Sequence, residues 1–245
     1  MYQIRLIIFF KYFMQKNNLV VISLGGSLIV PDEIDWRFVK SFKEIIKRQI
    51  AKGHRFIIIT GGGKLARRYQ EAALSVTKKL TDDDRDWLGI HATRMNAHFI
   101  RTIFRDNAHP RINKNPNDLE DFYNFKENIL IAAGWRPGFS TDYDAVLLGK
   151  YFGVKKIINM SNIDYVCDKD PNKFSDAKKL KNIAWTDFQK MVGDKWDPGM
   201  NAPFDPIASK LAAEAKMEVV ILNGKKLKNM ENCLENKKFN GTVIS

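Results

Sequence analysis

Only two cysteines occur in 245 residues, Cys167 and Cys233, far apart and without CxxC or Cys/His spacing. That scarcity excludes a disulfide framework and a structural zinc site, and fits a reducing, cytoplasmic setting. Long hydrophobic runs are missing too. The most apolar stretch, within MYQIRLIIFFKYF at residues 1–13, is too short to span a bilayer and has no small-residue cleavage site. Because Met14 opens a polar lead into a first strand, residues 1–13 are read as an N-terminal extension outside the core. Blocks of like charge are absent as well. The formal net charge is +12, yet the cations sit one or two at a time on helix faces, as at Lys40, Lys43, Lys47 and Arg48. Neither a nucleic-acid partner nor a membrane partner is therefore expected.

What is present is an alternation of short β-branched runs with helical patterns, which predicts an α/β protein: a three-layer αβα sandwich around a mostly parallel sheet. The expected strands are Leu19–Leu24, Phe56–Thr60, Asn128–Ala132, Lys156–Met160 and Glu218–Leu222. Trp36, Val39, Phe42, Ile46 and Ile50 recur at steps of three and four, so a helix with one apolar face is expected there, ending at Gly53. The same count predicts a helix from about Asp86 to Arg105 that buries Leu88, Ile90, Met95, Phe99 and Ile103. Residues 106–127, with two prolines and five asparagines, read as an excursion from the domain.

Glycine turns follow the strands. Gly25, Gly26 and Ser27 come after the first and Gly61, Gly62 and Gly63 after the second, each just before a helix. Glycine lets backbone approach a phosphate closely, and the unpaired N–H groups of the next helix favour anions. GGGKLA at 61–66 formally matches a dinucleotide-binding fingerprint, with Asp82 to Asp84 downstream, but KKLTDDDRDW has no strand to carry the acidic residue. Neither loop matches GxxxxGK[ST], so P-loop machinery is absent. A third turn, GWRPGFSTDYDAV at 134–146, offers Pro137 and Gly138 for the bend, Ser140 or Thr141 as a helix cap, and Arg136 as a fixed cation.

In these blocks the chain resembles the uridylate kinases of the amino-acid-kinase family, particularly the archaeal type. The blocks are LGGS at 24–27, GGGKLARRY at 61–69, DWLGIHATRMNA at 86–97, RPGFSTD at 136–142, SNIDYVCDKDP at 161–171, and FDPIASK at 204–210 with a closing GTVI. The resemblance implies the amino-acid-kinase fold for residues 14–245, with a UMP-binding lobe over about 14–155 and an ATP-binding lobe over about 156–245. It implies transfer of the γ-phosphate of ATP to UMP, with Mg²⁺ accompanying ATP, and a homo-oligomer, a hexamer. Gly62, Asp86, Trp135, Arg136, Pro137, Gly138, Phe139, Ser140 and Thr141 would then contact UMP, with Asp86 on the ribose hydroxyls. Gly26, Ser27, Gly63, Arg67, Ser161, Cys167 and Asp170 would contact ATP.

Three departures from the family pattern stand out. Ser23 occupies the first-strand position where many members carry a lysine that reaches the transferring phosphoryl group. Arg67, Arg136 and Lys210 are the candidates to supply that charge, in that order. The family's DGVY reads Asp164, Tyr165, Val166, Cys167, and its paired glycine before the third loop reads Ala133, Gly134. Other acceptors on the same fold (carbamate, an acylated amino acid, isopentenyl phosphate) and a non-catalytic nucleotide-binding oligomer are the competing expectations.

Overall fold

A computed structural model describes residues 18–193 and 202–245. The extension expected at 1–13 lies outside the described residues. Strands β1 (Leu19–Leu24), β2 (Arg55–Thr60), β3 (Ile129–Ala132), β4 (Lys156–Ser161) and β8 (Glu218–Asn223) form the parallel part of a seven-stranded sheet ordered β3-β2-β1-β4-β8-β9-β7. Short strands β9 (Thr242–Ile244), antiparallel to β8, and β7 (Asn182–Ile183) complete it. A separate two-stranded ribbon pairs β5 (Val166–Cys167) with β6 (Lys179–Leu180).

The parallel strands are apolar on both faces because helices cover both. Ile22, Leu24, Ile58, Ile131 and Leu222 face one layer with α1 (Gly26–Ile29), α2 (Trp36–Ala51), α4 (Asp82–Ile103) and α8 (Leu227–Leu234). Val21, Ile57, Leu130 and Ile221 face the other, with α5 (Thr141–Phe152), α6 (Trp185–Val192) and α7 (Pro206–Glu214). The expected αβα sandwich is this architecture. Helix α3 (Gly63–Thr77) lies outermost, buries only Ala66, and packs chiefly on α4.

Two expectations are corrected. Helix α4 begins at Asp82, four residues earlier than expected, because Thr81 and Asp84 form a capping box: Thr81 Oγ1 accepts from Asp84 N at 3.1 Å and Asp84 Oδ2 from Thr81 N at 3.1 Å. Its inner face is Ile90, Ala92, Ala97 and Ile100, while Met95 is 65% exposed. Residues 106–127 are no excursion. They run beside β3 through bridges Ala108–Ile129 and Asn113–Ala132, and bury Leu119, Phe122 and Phe125 in the second core layer. The segment thereby covers the sheet's edge strand, and Arg55 fastens it by donating to the carbonyls of Phe125 and Glu127.

Candidate active site at the carboxyl edge of the sheet

The turns that follow β1, β2, β3 and β4 all leave the carboxyl edge of the sheet, where open α/β folds bind ligands. The first two turns meet backbone to backbone. A Cβ built on Gly26 would fall inside 3.0 Å of Gly63 N and Gly61 O, and one on Gly63 would lie 2.6 Å from Ser27 N. Gly63 also has φ of +62°, left-handed backbone that glycine adopts without strain. Gly26 and Ser27 open α1, Gly62 caps α3, and Gly63 is the first residue of α3. Arg67 stands one turn further on, exposed, with no ion pair among the described residues. Its neighbours Lys64 and Arg68 are both taken by Asp32, at 2.9 and 3.2 Å.

Helix α4 links the second turn to the third. Asn96 Nδ2 donates to Gly61 O at 2.8 Å, and Gly134 N donates to Thr93 Oγ1 at 2.8 Å. Asp86 is in the second turn of α4, where the first-turn acids are Asp82, Asp83 and Asp84. Its Oδ2 accepts from Gly138 N at 2.7 Å, so this carboxylate holds the Trp135–Ser140 turn rather than serving the helix dipole. In that turn the Arg136 guanidinium lies 4.1 Å from the Trp135 ring centroid and 5.0 Å from that of Phe139, and Phe139 packs on Tyr143 at 4.6 Å. Pro137 and Gly138 make the bend, with φ of +84° at Gly138.

Ser140 is the cap of α5: its Oγ accepts from Tyr143 N at 3.2 Å, and Thr141 is the first helical residue. The same hydroxyl donates to Asp205 Oδ2, while Asp205 Oδ1 caps α7 by accepting from Ile207 N and Ala208 N. Two helix N-termini are therefore tied together through their caps. Beneath them lies a carboxylate cluster that sequence reasoning missed. Ser23 and Asn159 are register partners on β1 and β4, and both donate to Asp142 Oδ1, at 3.2 and 3.0 Å. Asp205 N approaches Asp142 Oδ2 at 3.4 Å. Burial, and then the Asp205 charge, push the Asp142 carboxyl up to about 7. Burial does the same to Asp144, also to about 7, against the pull of its hydrogen bond from Trp135 N. With Ser23 in place of a first-strand lysine, the side chains that donate to Asp142 are neutral.

On the far side, Ser161 ends β4, with its Oγ accepting from Ile163 N at 3.3 Å. Cys167 is half-buried in β5, and Asp170 is exposed and folds an Asx turn onto Asn172 N at 2.9 Å. Asp164, the first residue of the altered DGVY segment, pairs with Lys226 at 2.8 Å. Lys210 stands exposed on the second turn of α7. The STDYD segment reads only as a helix cap; the meeting of its two acids with Asp205, 63 residues from Asp142, is tertiary and has no local signal.

A mostly parallel sandwich with small-residue turns gathered at its carboxyl edge is the architecture of a phosphotransferase class, and the comparisons assign it. The model of the amino acid kinase family matches residues 18–223, and the chain belongs to that family. Its relatives include the uridylate kinase of Thermoplasma volcanium, 33% identical over 226 residues that cover 90% of this chain and 95% of that one. The uridylate kinase of Methanobrevibacter smithii is 30% identical, covering 92% and 99%. Among solved structures, uridylate kinase from Archaeoglobus fulgidus superposes with a TM-score of 0.78 at 26% identity, covering 92% of this chain and 99% of that chain. UMP kinase from Ureaplasma parvum, at 20% identity, shares the fold with a TM-score of 0.75 over 93% and 98% of the two chains.

Proposed function

We propose that this protein is a UMP kinase, which moves the γ-phosphate of ATP onto UMP to give UDP and ADP, in pyrimidine nucleotide synthesis. The observation that carries the reading is the α4 bridge: Asp86 grips the 135–140 turn while Asn96 grips Gly61, so one helix sets an acceptor loop against the paired glycine turns. In this reading Gly26, Ser27, Gly63 and Arg67 receive the donor phosphates, Ser161, Cys167 and Asp170 border the donor nucleoside, and Gly62, Asp86 and Trp135–Thr141 receive UMP. The donor nucleoside would then lie on the lobe at about 156–245, and UMP on the lobe at about 14–155, which also supplies the glycine turns for the donor phosphates.

An oxygen of the UMP phosphate attacks the γ-phosphorus, and the bond from that phosphorus to the β–γ bridging oxygen breaks. The acceptor is already an anion at neutral pH, so no general base is needed. The protein's work is alignment and stabilisation of spread negative charge by backbone N–H groups and by Arg67, Arg136 and Lys210. Mg²⁺ prefers phosphate and water oxygens, and the carboxylates of Asp142 and Asp205 are already engaged by Ser23, Asn159, Ser140 and the first turn of α7. The ion would thus be held on the donor phosphates, whose charge it neutralises. No helix among the described residues is long and apolar enough to cross a membrane; a cytoplasmic hexamer is the assembly proposed.

The test is ADP formation by the pure protein with ATP, Mg²⁺ and a panel of nucleoside monophosphates. UMP-dependent turnover is expected, and its absence defeats the proposal; nucleotide binding without turnover would instead favour a storage protein. Asp86→Ala is expected to raise KM for UMP about ten- to a hundredfold, the range for a lost charge-assisted hydrogen bond. KM for ATP should stay within about twofold of wild type, inside the variation expected when no such bond is lost. Equal losses for both substrates would remove Asp86 from the ribose.

A further inference from the structure

We infer that Arg94 and Asp144 form a positioning pair that fixes the two peptide groups flanking the Trp135 Cα and so aims Arg136 at the acceptor. The inference rests on the reading of residues 135–141 as the acceptor loop. Neither Arg94 nor Asp144 is among the residues that the family blocks single out as ligand contacts.

Asp144 Oδ2 accepts the Trp135 N–H at 3.1 Å, and Arg94 Nη2 donates to the Trp135 carbonyl at 2.8 Å. Arg94 Nε reaches the Gly134 carbonyl at 3.4 Å, and the Gly134 N–H goes to Thr93. Both polar groups of Trp135 are therefore fixed by side chains, one from α4 and one from α5, rather than by the sheet. The consequence passes to the next residue through the ring, since the Arg136 guanidinium lies on the Trp135 face at 4.1 Å. Reorientation of the Trp135 backbone would carry ring and guanidinium away together.

The chemistry at Asp144 marks this as more than packing. It is 1% exposed, its Oδ1 has no hydrogen-bond partner among the described residues, and its neighbours include the carboxylates of Asp142 and Asp205. A small apolar residue would fill that place without the desolvation that a buried carboxylate suffers. Among the described residues, the one hydrogen bond made by the Asp144 side chain is the one to Trp135. Arg94, by contrast, is only half-buried, so it keeps its charge while its fork spans two consecutive carbonyls, a geometry that lysine cannot reproduce.

The test compares Arg94→Met, Arg94→Lys, Asp144→Ala and Asp144→Asn with wild type in steady-state kinetics, and follows hydrogen exchange of the peptide containing Trp135. Arg94→Met and Asp144→Ala are each expected to raise KM for UMP about tenfold or more, with KM for ATP unchanged within about twofold. The double variant should be no worse than the poorer single one, because both hold the backbone of the same residue. Asp144→Asn should restore near wild-type KM, since its amide oxygen can still accept from Trp135, and Arg94→Lys should restore it only in part. Exchange at 134–136 should quicken in Arg94→Met and not in Asp144→Asn. Equal losses for UMP and ATP, additive effects, or unaltered exchange in a folded Arg94→Met would overturn the clamp. If wild type itself fails to turn over UMP, the kinase reading falls, and the exchange arm alone decides the clamp.

Discussion

Gly26→Ala is expected to cut kcat/KM for ATP by at least about a hundredfold, the scale on which a displacement of about 1 Å acts on a pre-aligned reaction. The reason is contact between two backbones. The added methyl would sit inside 3.0 Å of Gly63 N and Gly61 O, neither of which can rotate away as a side chain does. To admit it, the turn after β1 and the turn after β2 must separate, and these turns carry the N–H groups assigned to the donor phosphates. Gly138→Ala is the control. There the Cβ meets nothing within 4 Å, so the cost is that of φ at +84° in an L-residue, roughly 1–2 kcal/mol. UMP affinity of Gly26→Ala, measured by calorimetry, should fall far less than ATP affinity. Retention of kcat/KM for ATP within about threefold would separate the paired turns from the chemistry, as that small a change leaves alignment intact.

These glycines were legible in the sequence because strand, glycine and helix follow in immediate succession, and chain order alone then puts the turns on one edge. The five parallel strands were legible for a related reason: β-branched runs covered on both faces need no alternation. Strands β7 and β9, of two and three residues, carry too little periodicity to be seen. Helix α4 misled for a physical cause. Its inner face spends Thr93 and Asn96 on the Gly134 N–H and the Gly61 carbonyl, so a count of apolar residues alone turned the helix toward Met95. Leu119, Phe122 and Phe125 did repeat at three-residue steps within 106–127, but the surrounding asparagine and proline masked a segment that packs through those rings.

The carboxylate cluster is the part that no local pattern announced, and it makes stability depend on pH in a direction opposite to most acidic residues. Asp142 and Asp144 have folded pKa values of about 7, above those of the unfolded chain. Each therefore binds a proton more readily when folded. Their contribution is full below about pH 4 and is lost as pH rises to about 7, beyond which both states are ionised. A shift of this size corresponds to about 2–4 kcal/mol per carboxyl once the coupling between neighbours is discounted. Between pH 5.5 and 8 the melting temperature of the wild type is therefore expected to fall. Asp144→Asn fixes one site in its neutral form and leaves Asp142 to titrate, so about half of that slope should vanish. At pH 8 this variant should melt about 5–10 °C above wild type. The neutral donors around Asp142 explain why the effect survives in the native protein: Ser23 and Asn159 hold the carboxyl in place without the positive charge that would keep it ionised. A melting temperature that rises from pH 5.5 to 8 in the wild type, or one that Asp144→Asn lowers at pH 8, would mean that a cation reaches the cluster and holds these carboxylates charged.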